Sequence, residues 1–250
     1  MTWRVVKLEE HSAELNMAID EAVCEFVANG KSKATIRFYK WKPSAVSIGY
    51  FQSLEDEVDV RLCKDLGFDF VRRRTGGGAV YHDAKGEITY SVIAPEKIFP
   101  KGITESYHVI CGWIVDSLNE LGITAEFKPI NDIITHGKKI SGNAQTRRNG
   151  VLLQHGTILY DLDVETMFRL LKVPKEKISD KMISDVKQRV TSIRDIKGDS
   201  VSEMNVAAAL EKGFTNGKEF EYGKWTKEEL VRAHELVKER YSKQEWNFMR

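Results

Sequence analysis

Apolar positions recur at two spacings along the 250 residues, and the spacing changes mark the elements. Residues 3–8 read as a short opening strand. A helix follows, with Leu15, Ala18, Ile19, Ala22, Val23, Phe26 and Val27 on one stripe, Ser12 as N-cap and Gly30 as its stop. Cys24 falls off that stripe and reads as a surface thiol. Residues 35–41 and 45–50 are β-rich runs separated by Pro43, and 59–66 form a short helix stopped by Gly67. Residues 87–94 alternate, placing Ile88, Tyr90, Val92 and Ala94 on one face. A second helix over 104–121 carries Tyr107, Ile110, Cys111, Ile114, Val115, Leu118 and Leu121, so Cys111 is core packing. Residues 125–130 and 151–159 read as further strands.

From residue 163 onward the pattern turns helical and more charged. Ser200 with Glu203, and Thr226 with Glu229, have capping-box spacing. Val206, Ala207 and Leu210, then Leu230, Ala233 and Val237, supply the stripes. Residues 174–194 mix charges with short apolar pairs and give no clear element. There is no repeat, low-complexity tract or linker. The expectation is one α+β domain over 1–250, with mostly antiparallel sheets flanked by helices and a helical C-terminal lobe over about 163–250.

Two polar stretches interrupt this pattern. Residues 70–83 read Phe-Val-Arg-Arg-Arg-Thr-Gly-Gly-Gly-Ala-Val-Tyr-His-Asp, which predicts a strand, a tight glycine turn and a second strand. Three successive glycines cost backbone entropy, which makes sense where a group lies against bare backbone. Such a turn can present N–H groups to an anion, and arginines beside it add fork-shaped donors. It is neither a Walker loop nor a dinucleotide fingerprint: no Lys-Ser or Lys-Thr pair follows, and Tyr81 stands where a third spaced glycine belongs. The second stretch, 131–150, is short of bulky residues and reads as site-bearing loops between strands.

Net charge is +1, so nothing marks nucleic acid as a partner. Apolar runs are too short to span a membrane, and the N-terminus lacks a signal-peptide pattern. Cys24, Cys63 and Cys111 form no Cys-x-x-Cys pair or zinc spacing. A cytoplasmic protein is expected.

With both stretches in view the chain resembles the lipoate–protein ligase family, whose catalytic fold is shared with biotin–protein ligases. The matching motifs are residues 72–83, Asn131-Asp132, Gly137-Lys-Lys-Ile-Ser-Gly-Asn-Ala-Gln145 and His155-Gly-Thr-Ile-Leu159. The resemblance implies that lipoate and ATP form lipoyl-adenylate. A lysine of an acceptor protein then takes the lipoyl group. Implied acceptors are apo lipoyl domains of 2-oxoacid dehydrogenase complexes and the glycine-cleavage H protein. Lys139 matches the family's catalytic lysine, acting as a cation between the carboxylate and the α-phosphate. Arg73 matches a nucleotide-contacting arginine. Gly76, Gly77, Gly78, Ala79, Val80 and Tyr81 match the backbone wall along the acyl-adenylate. Asp132, beside Asn131, is the candidate for Mg²⁺ on the phosphates. His82 and His155 would line the acyl pocket or orient the carboxylate.

Longer ligases of the family carry a further C-terminal domain, whereas this sequence ends at Arg250. The resemblance therefore also implies a separate small accessory subunit for the adenylation step. The nearest alternative is an octanoyltransferase, moving an octanoyl group from acyl carrier protein through a cysteine thioester without ATP. The lysine motif contains no cysteine, and Cys63 is not excluded by its place in sequence. A third alternative is a non-catalytic binder of acyl-adenylate or lipoyl domains. Arg147 and Arg148, beside the motif, are a candidate docking patch.

Overall fold

Alternating burial builds the main sheet. In a computed structural model that describes residues 1–161, 163–172 and 188–250, the strands are β1 (Trp3–His11), β2 (Thr35–Trp41), β3 (Ala45–Ile48), β4 (Asp69–Arg72), β5 (Val80–His82), β6 (Glu87–Pro95), β7 (Glu126–Lys128), β8 (Asp132–Thr135), β9 (Lys138–Arg148), β10 (Val151–Leu159) and β11 (Phe220–Tyr222). Eight form one sheet in the order β11-β1-β2-β6-β10-β9-β8-β7, and β4-β3-β5 form a second. Pairing is mostly antiparallel, with β1–β11, β1–β2 and β3–β4 parallel. The period-2 pattern of β6 sends Tyr90 and Val92 to one core and Ile93 to another. The predicted strands over 35–41 and 151–159 hold to the residue; those over 45–50 and 125–130 are shorter than expected.

Each face of the main sheet carries two helices. On one face, α4 (Ile103–Glu120) packs on α7 (Glu203–Thr215); on the other, α1 (Ala13–Ala28) packs on α8 (Lys227–Leu236). Short helices α2 (Leu54–Glu57), α3 (Val60–Asp65) and α5 (Val164–Leu170) border the small sheet, and α6 (Ile193–Lys197) and α9 (Gln244–Asn247) complete the set of described helices numbered here. Ser12 caps α1 as expected, and Thr226 and Glu229 form their capping box. The box before α7 is displaced: Ser202 is the cap and Asn205 its partner, because the chain is still in a 3₁₀ turn at Ser200. Residues 173–187, most of the patternless stretch, lie outside the described residues. Among the described residues no helix is long and apolar enough to cross a membrane.

Two sequence expectations are corrected. Residues 70–83 form the expected strand, glycine run and second strand, but the run is a crossing rather than a tight turn. The strands β4 and β5 both pair with β3, on opposite sides, and the glycine run crosses the end of β3 between them. The cause is that β3 is buried with both edges available, and Gly49 just beyond it leaves room for the run: a Cβ there would collide with the carbonyl of Gly77. Residues 131–150 are not loops. They form β8 and β9, with turns at His136-Gly137 and Asn149-Gly150. Their scattered Ile133 and Ile140 are fully buried and anchor the polar strands to the core.

The ends of the chain are tied together by a buried ion pair. Arg4 on β1 donates both Nη groups to Glu229 on α8, each at 2.7 Å, and the two residues are 7% and 2% exposed. Burial pushes the Glu229 carboxyl up, but hydrogen bonds from Arg4, Ser32 and the Thr226 N–H outweigh it and hold the carboxyl below its usual range. Removing one partner strands a buried charge, so Glu229→Ala is expected to lower the unfolding free energy by about 3–5 kcal/mol. The depressed carboxyl also fixes the sign with pH. Its contribution is present above the ordinary carboxylate range and is lost as pH falls through the lower folded-state value. Urea titration at neutral and acid pH checks both; a neutral-pH loss under about 1 kcal/mol would rule the idea out.

Candidate active site

A cavity of about 320 Å³ lies where the main sheet meets the small one, bounded by β6, β9 and β10 on one side and by β3, β5 and the glycine run on the other. Ten of the twelve expected site residues line it: Arg73, Gly77, Gly78, Ala79, Val80, Tyr81, His82, Asn131, Lys139 and His155. Gly76 and Asp132 stand just outside the lining, each bonded to a residue within it. The apolar part of the wall, which the sequence did not identify, comes from scattered elements, with Met17, Trp41, Leu159, Met167, Leu171 and Val190.

Arg73 is 5% exposed, and all five of its N–H donors meet protein acceptors. Nε donates to Thr75 Oγ1 at 3.2 Å. Nη1 donates to the carbonyl and hydroxyl of Ser47 at 3.1 and 3.0 Å. Nη2 donates to the carbonyls of Gly76 and Gly78 at 2.8 and 2.7 Å. Its guanidinium therefore holds the glycine run in shape. Burial pushes its pKa down to about 10, still cationic at neutral pH. Its neighbours point elsewhere. Arg72 donates to the carbonyls of Gly49, Tyr50, Gln52, Trp246 and Asn247, and Arg74 pairs with Glu21.

The two histidines converge on Arg73. His82 Nε2 lies 2.8 Å from Ser47 Oγ, and Nδ1 lies 2.6 Å from Glu87, with the ring stacked on Trp41. His155 Nε2 lies 2.7 Å from Thr75 Oγ1, and Nδ1 lies 3.3 Å from Asp20. Burial holds the His155 pKa below its ordinary value despite Asp20, so the ring is neutral at physiological pH. Each chain runs carboxylate, imidazole, hydroxyl and then guanidinium. The Ser47–His82–Glu87 distances match those of a nucleophile triad, but Ser47 is 2% exposed and its oxygen accepts from Arg73. The hydroxyl serves the arginine. Sequence reasoning missed Ser47, Thr75, Asp20 and Glu87, and no signal in the sequence marked them; Asp20 is buried on α1 although it lies off the apolar stripe.

Lys139 and Asp132 face each other across β8 and β9, with Nζ 2.7 Å from Oδ1. The lysine lies over Gly142, where a Cβ would sit 2.8 Å from Cε and 2.9 Å from Nζ. Its carbonyl accepts from Thr191 N–H at 2.9 Å, which ties β9 to the segment carrying Val190. Among the described residues no group of three or more His, Cys, Asp or Glu is placed to hold a metal. One carboxylate beside substrate phosphates is a sufficient protein contribution for Mg²⁺, and the Asp132 carboxylate is of the kind that contribution needs.

No cysteine lines the cavity among the described residues. Cys111 is buried in the core and Cys63 under the small sheet. Cys24 lines a separate cavity of about 50 Å³ behind His155, so it is not the surface thiol expected. Burial raises all three thiols, Cys63 to about 11 and Cys111 to about 12. The expected arginine patch is also reduced. Arg147 is pinned to the carbonyls of Pro100 and Lys101 at 2.8 and 2.9 Å, and Arg148 stacks over Tyr50.

Known proteins sharpen this picture. Residues 12–215 match the family model of the lipoyl protein ligase A/B catalytic domain. The octanoyltransferase LipM of Brevibacillus brevis is 38% identical over 99% of each chain, and that of Staphylococcus aureus 35% over 99% of this chain and 98% of its own. Among solved structures, a bi-partite lipoate protein ligase from Thermoplasma acidophilum superposes with a TM-score of 0.88 at 35% identity, covering 99% of this chain and 96% of that one. A lipoate-protein ligase A bound with ATP superposes with a TM-score of 0.85 at 32% identity, covering 99% of both.

Proposed function

This chain belongs to the family of lipoyl protein ligase A/B catalytic domains, an enzyme family of protein lipoylation, and within it we propose that this chain is an ATP-dependent lipoate–protein ligase, the activity named for two solved structures it superposes on. The observation that carries the reading is Lys139, set in the cavity wall against Asp132 with no cysteine beside it among the described lining residues. In the first step a lipoate carboxylate oxygen attacks the α-phosphorus of ATP and pyrophosphate leaves. Two anions must meet, so catalysis is mainly positioning and charge stabilisation. The Lys139 ammonium bridges the two, Arg73 keeps the glycine run against the adenylate, and the apolar wall takes the acyl carbons. Mg²⁺, held by Asp132 and the phosphates, would neutralise their charge. In the second step a deprotonated acceptor lysine attacks the acyl carbonyl and AMP leaves. Apo lipoyl domains or the glycine-cleavage H protein are the proposed acceptors in the cytoplasm. The bi-partite neighbour supports a separate accessory subunit for this chain as well.

A second reading has its own observation: the curated relatives, matched over nearly their whole length, are named octanoyltransferases. A thioester route needs a reactive thiolate near the acyl group. Here the thiols lie outside the cavity lining with raised pKa values. The two readings separate by intact mass of a purified apo lipoyl domain, incubated with the protein and either preformed lipoyl-adenylate, which bypasses the step assigned to the accessory subunit, or octanoyl-acyl carrier protein. We expect a lipoyl-sized gain from the adenylate, and it should persist within about twofold when all three cysteines are replaced by alanine. A gain seen only with the octanoyl donor, and lost in the triple variant, would replace the ligase by the octanoyltransferase.

A further inference from the structure

Asn143 sits in the lysine motif, and its hydrogen bonds go to Tyr90, Asn131 and Ser141 rather than to Lys139 or Asp132. It is 5% exposed and lies opposite Gly156 in the β9–β10 register. A Cβ at Gly156 would collide with the Asn143 amide oxygen, so the backbone there makes room for this side chain. Its Nδ2 and its backbone N–H both donate to the carbonyl of Asn131, at 2.8 and 3.1 Å, and Asn131 Nδ2 donates back to the carbonyl of Asn143. Three hydrogen bonds thus fix the residue immediately before Asp132, next to the point where the β8–β9 register shifts. The amide is fixed in turn. Tyr90 OH donates to Asn143 Oδ1 at 2.7 Å, Gln154 Nε2 donates to the Tyr90 oxygen at 2.7 Å, and Gln145 Nε2 donates to Gln154 Oε1 at 2.9 Å. Ser106, in the first turn of α4, lies 3.1 Å from Gln145 Oε1.

A buried amide can point its oxygen or its nitrogen toward a neighbour, and each choice costs a partner if wrong. Tyr90 has one hydroxyl proton. With Gln154 donating to its oxygen, that proton must go to an acceptor, which sets Oδ1 toward Tyr90 and Nδ2 toward Asn131. The chain of donors therefore has one direction, from Gln145 through Gln154, Tyr90 and Asn143 to Asn131, the residue before Asp132. We propose that Asn143 is the positioning residue of the Lys139–Asp132 pair, oriented by the Tyr90 hydroxyl. It holds the start of β8 so that the carboxylate meets the ammonium across Gly142. The proposal rests on the reading of Lys139 as the catalytic cation and adds what places it.

The test has two readouts. The first needs no acyl donor: the rate at which the Lys139 amine is acetylated by acetic anhydride, read by peptide mass spectrometry. In Asn143→Ala we expect the pair to loosen and Lys139 to label several-fold faster, with other lysines unchanged. The second is steady-state acyl transfer with whichever donor the wild-type protein uses. Misplacing a catalytic group by an ångström costs on the order of a hundredfold. Accordingly kcat should fall about 10- to 100-fold while the lipoate Kd changes less than about threefold. Tyr90→Phe keeps the ring in its core site and should give the same pattern at smaller size. Unchanged Lys139 labelling, or a kcat loss matched by loss of lipoate binding and of thermal stability, would overturn the proposal. Failure of the ligase reading shows differently, as a wild-type protein that transfers nothing from preformed lipoyl-adenylate, and leaves the labelling result intact.

Discussion

Replacing Arg73 with lysine is expected to lower kcat/KM for acyl transfer about a hundredfold or more, although the charge is kept. The reason is geometric. The guanidinium fork bonds the carbonyls of Ser47, Gly76 and Gly78 and the hydroxyls of Ser47 and Thr75 at once. A lysine offers three donors from one point and no planar fork. At least two buried acceptors lose their partner, at roughly 1–3 kcal/mol each, and about 1.4 kcal/mol is a factor of ten. That free energy now favours other conformations of the glycine run over the one that bounds the cavity. It is therefore lost from every bound state and shows in kcat/KM. Arg72→Lys is the control. Arg72 is fully buried and equally bonded, but to the carbonyls around Gln52 and Trp246, so its loss should lower stability while the folded protein keeps its kcat. Steady-state kinetics of both variants beside urea curves separate the two effects. Near wild-type kcat/KM in Arg73→Lys would remove the arginine from its central place.

That central place was only half legible in the sequence. Arginines and glycines at 72–78 announced an anion-facing turn, and the lysine motif announced a site, because both patterns are local. What holds them is not local. Asp20 and Glu21 look like ordinary polar positions on α1 until Arg37, Arg74 and Arg240 arrive from distant elements to pair with them. Ser47 is one of many serines in a strand, and only the crossing of β3 by the glycine run brings it under Arg73. The periodic elements were read well because burial on a sheet face or helix stripe imposes the period directly. The polar stretch 131–150 was misread because two isoleucines suffice to anchor strands whose remaining residues face the site. Composition carries the signal for a loop there, and hydrogen bonding to β10 overrides it.

Lys139→Ala carries the largest expected loss. In the proposed first step the carboxylate and the α-phosphate approach with like charge, and the ammonium lies where that charge concentrates. Removing one preorganised donor of this kind costs about 10²–10³ in rate. Pyrophosphate exchange, which reports adenylation alone, should fall by that factor. Asp132→Asn should cost less, since it leaves the ammonium in place while it removes the charge of its partner at 2.7 Å and of the proposed Mg²⁺ contact. Gly142→Ala should approach Lys139→Ala, because the added methyl takes the space over which the lysine lies. The same variants also divide the two functional readings. An octanoyl thioester brings no phosphate to its reacting carbon, so a thioester enzyme needs no cation between two anions. If Lys139→Ala removes ATP-dependent transfer and the triple cysteine variant does not, the lysine carries the chemistry. If Lys139→Ala spares transfer from an octanoyl donor and the cysteine variant abolishes it, the lysine–aspartate pair is a structural feature of β8 and β9, and the covalent route is the correct one.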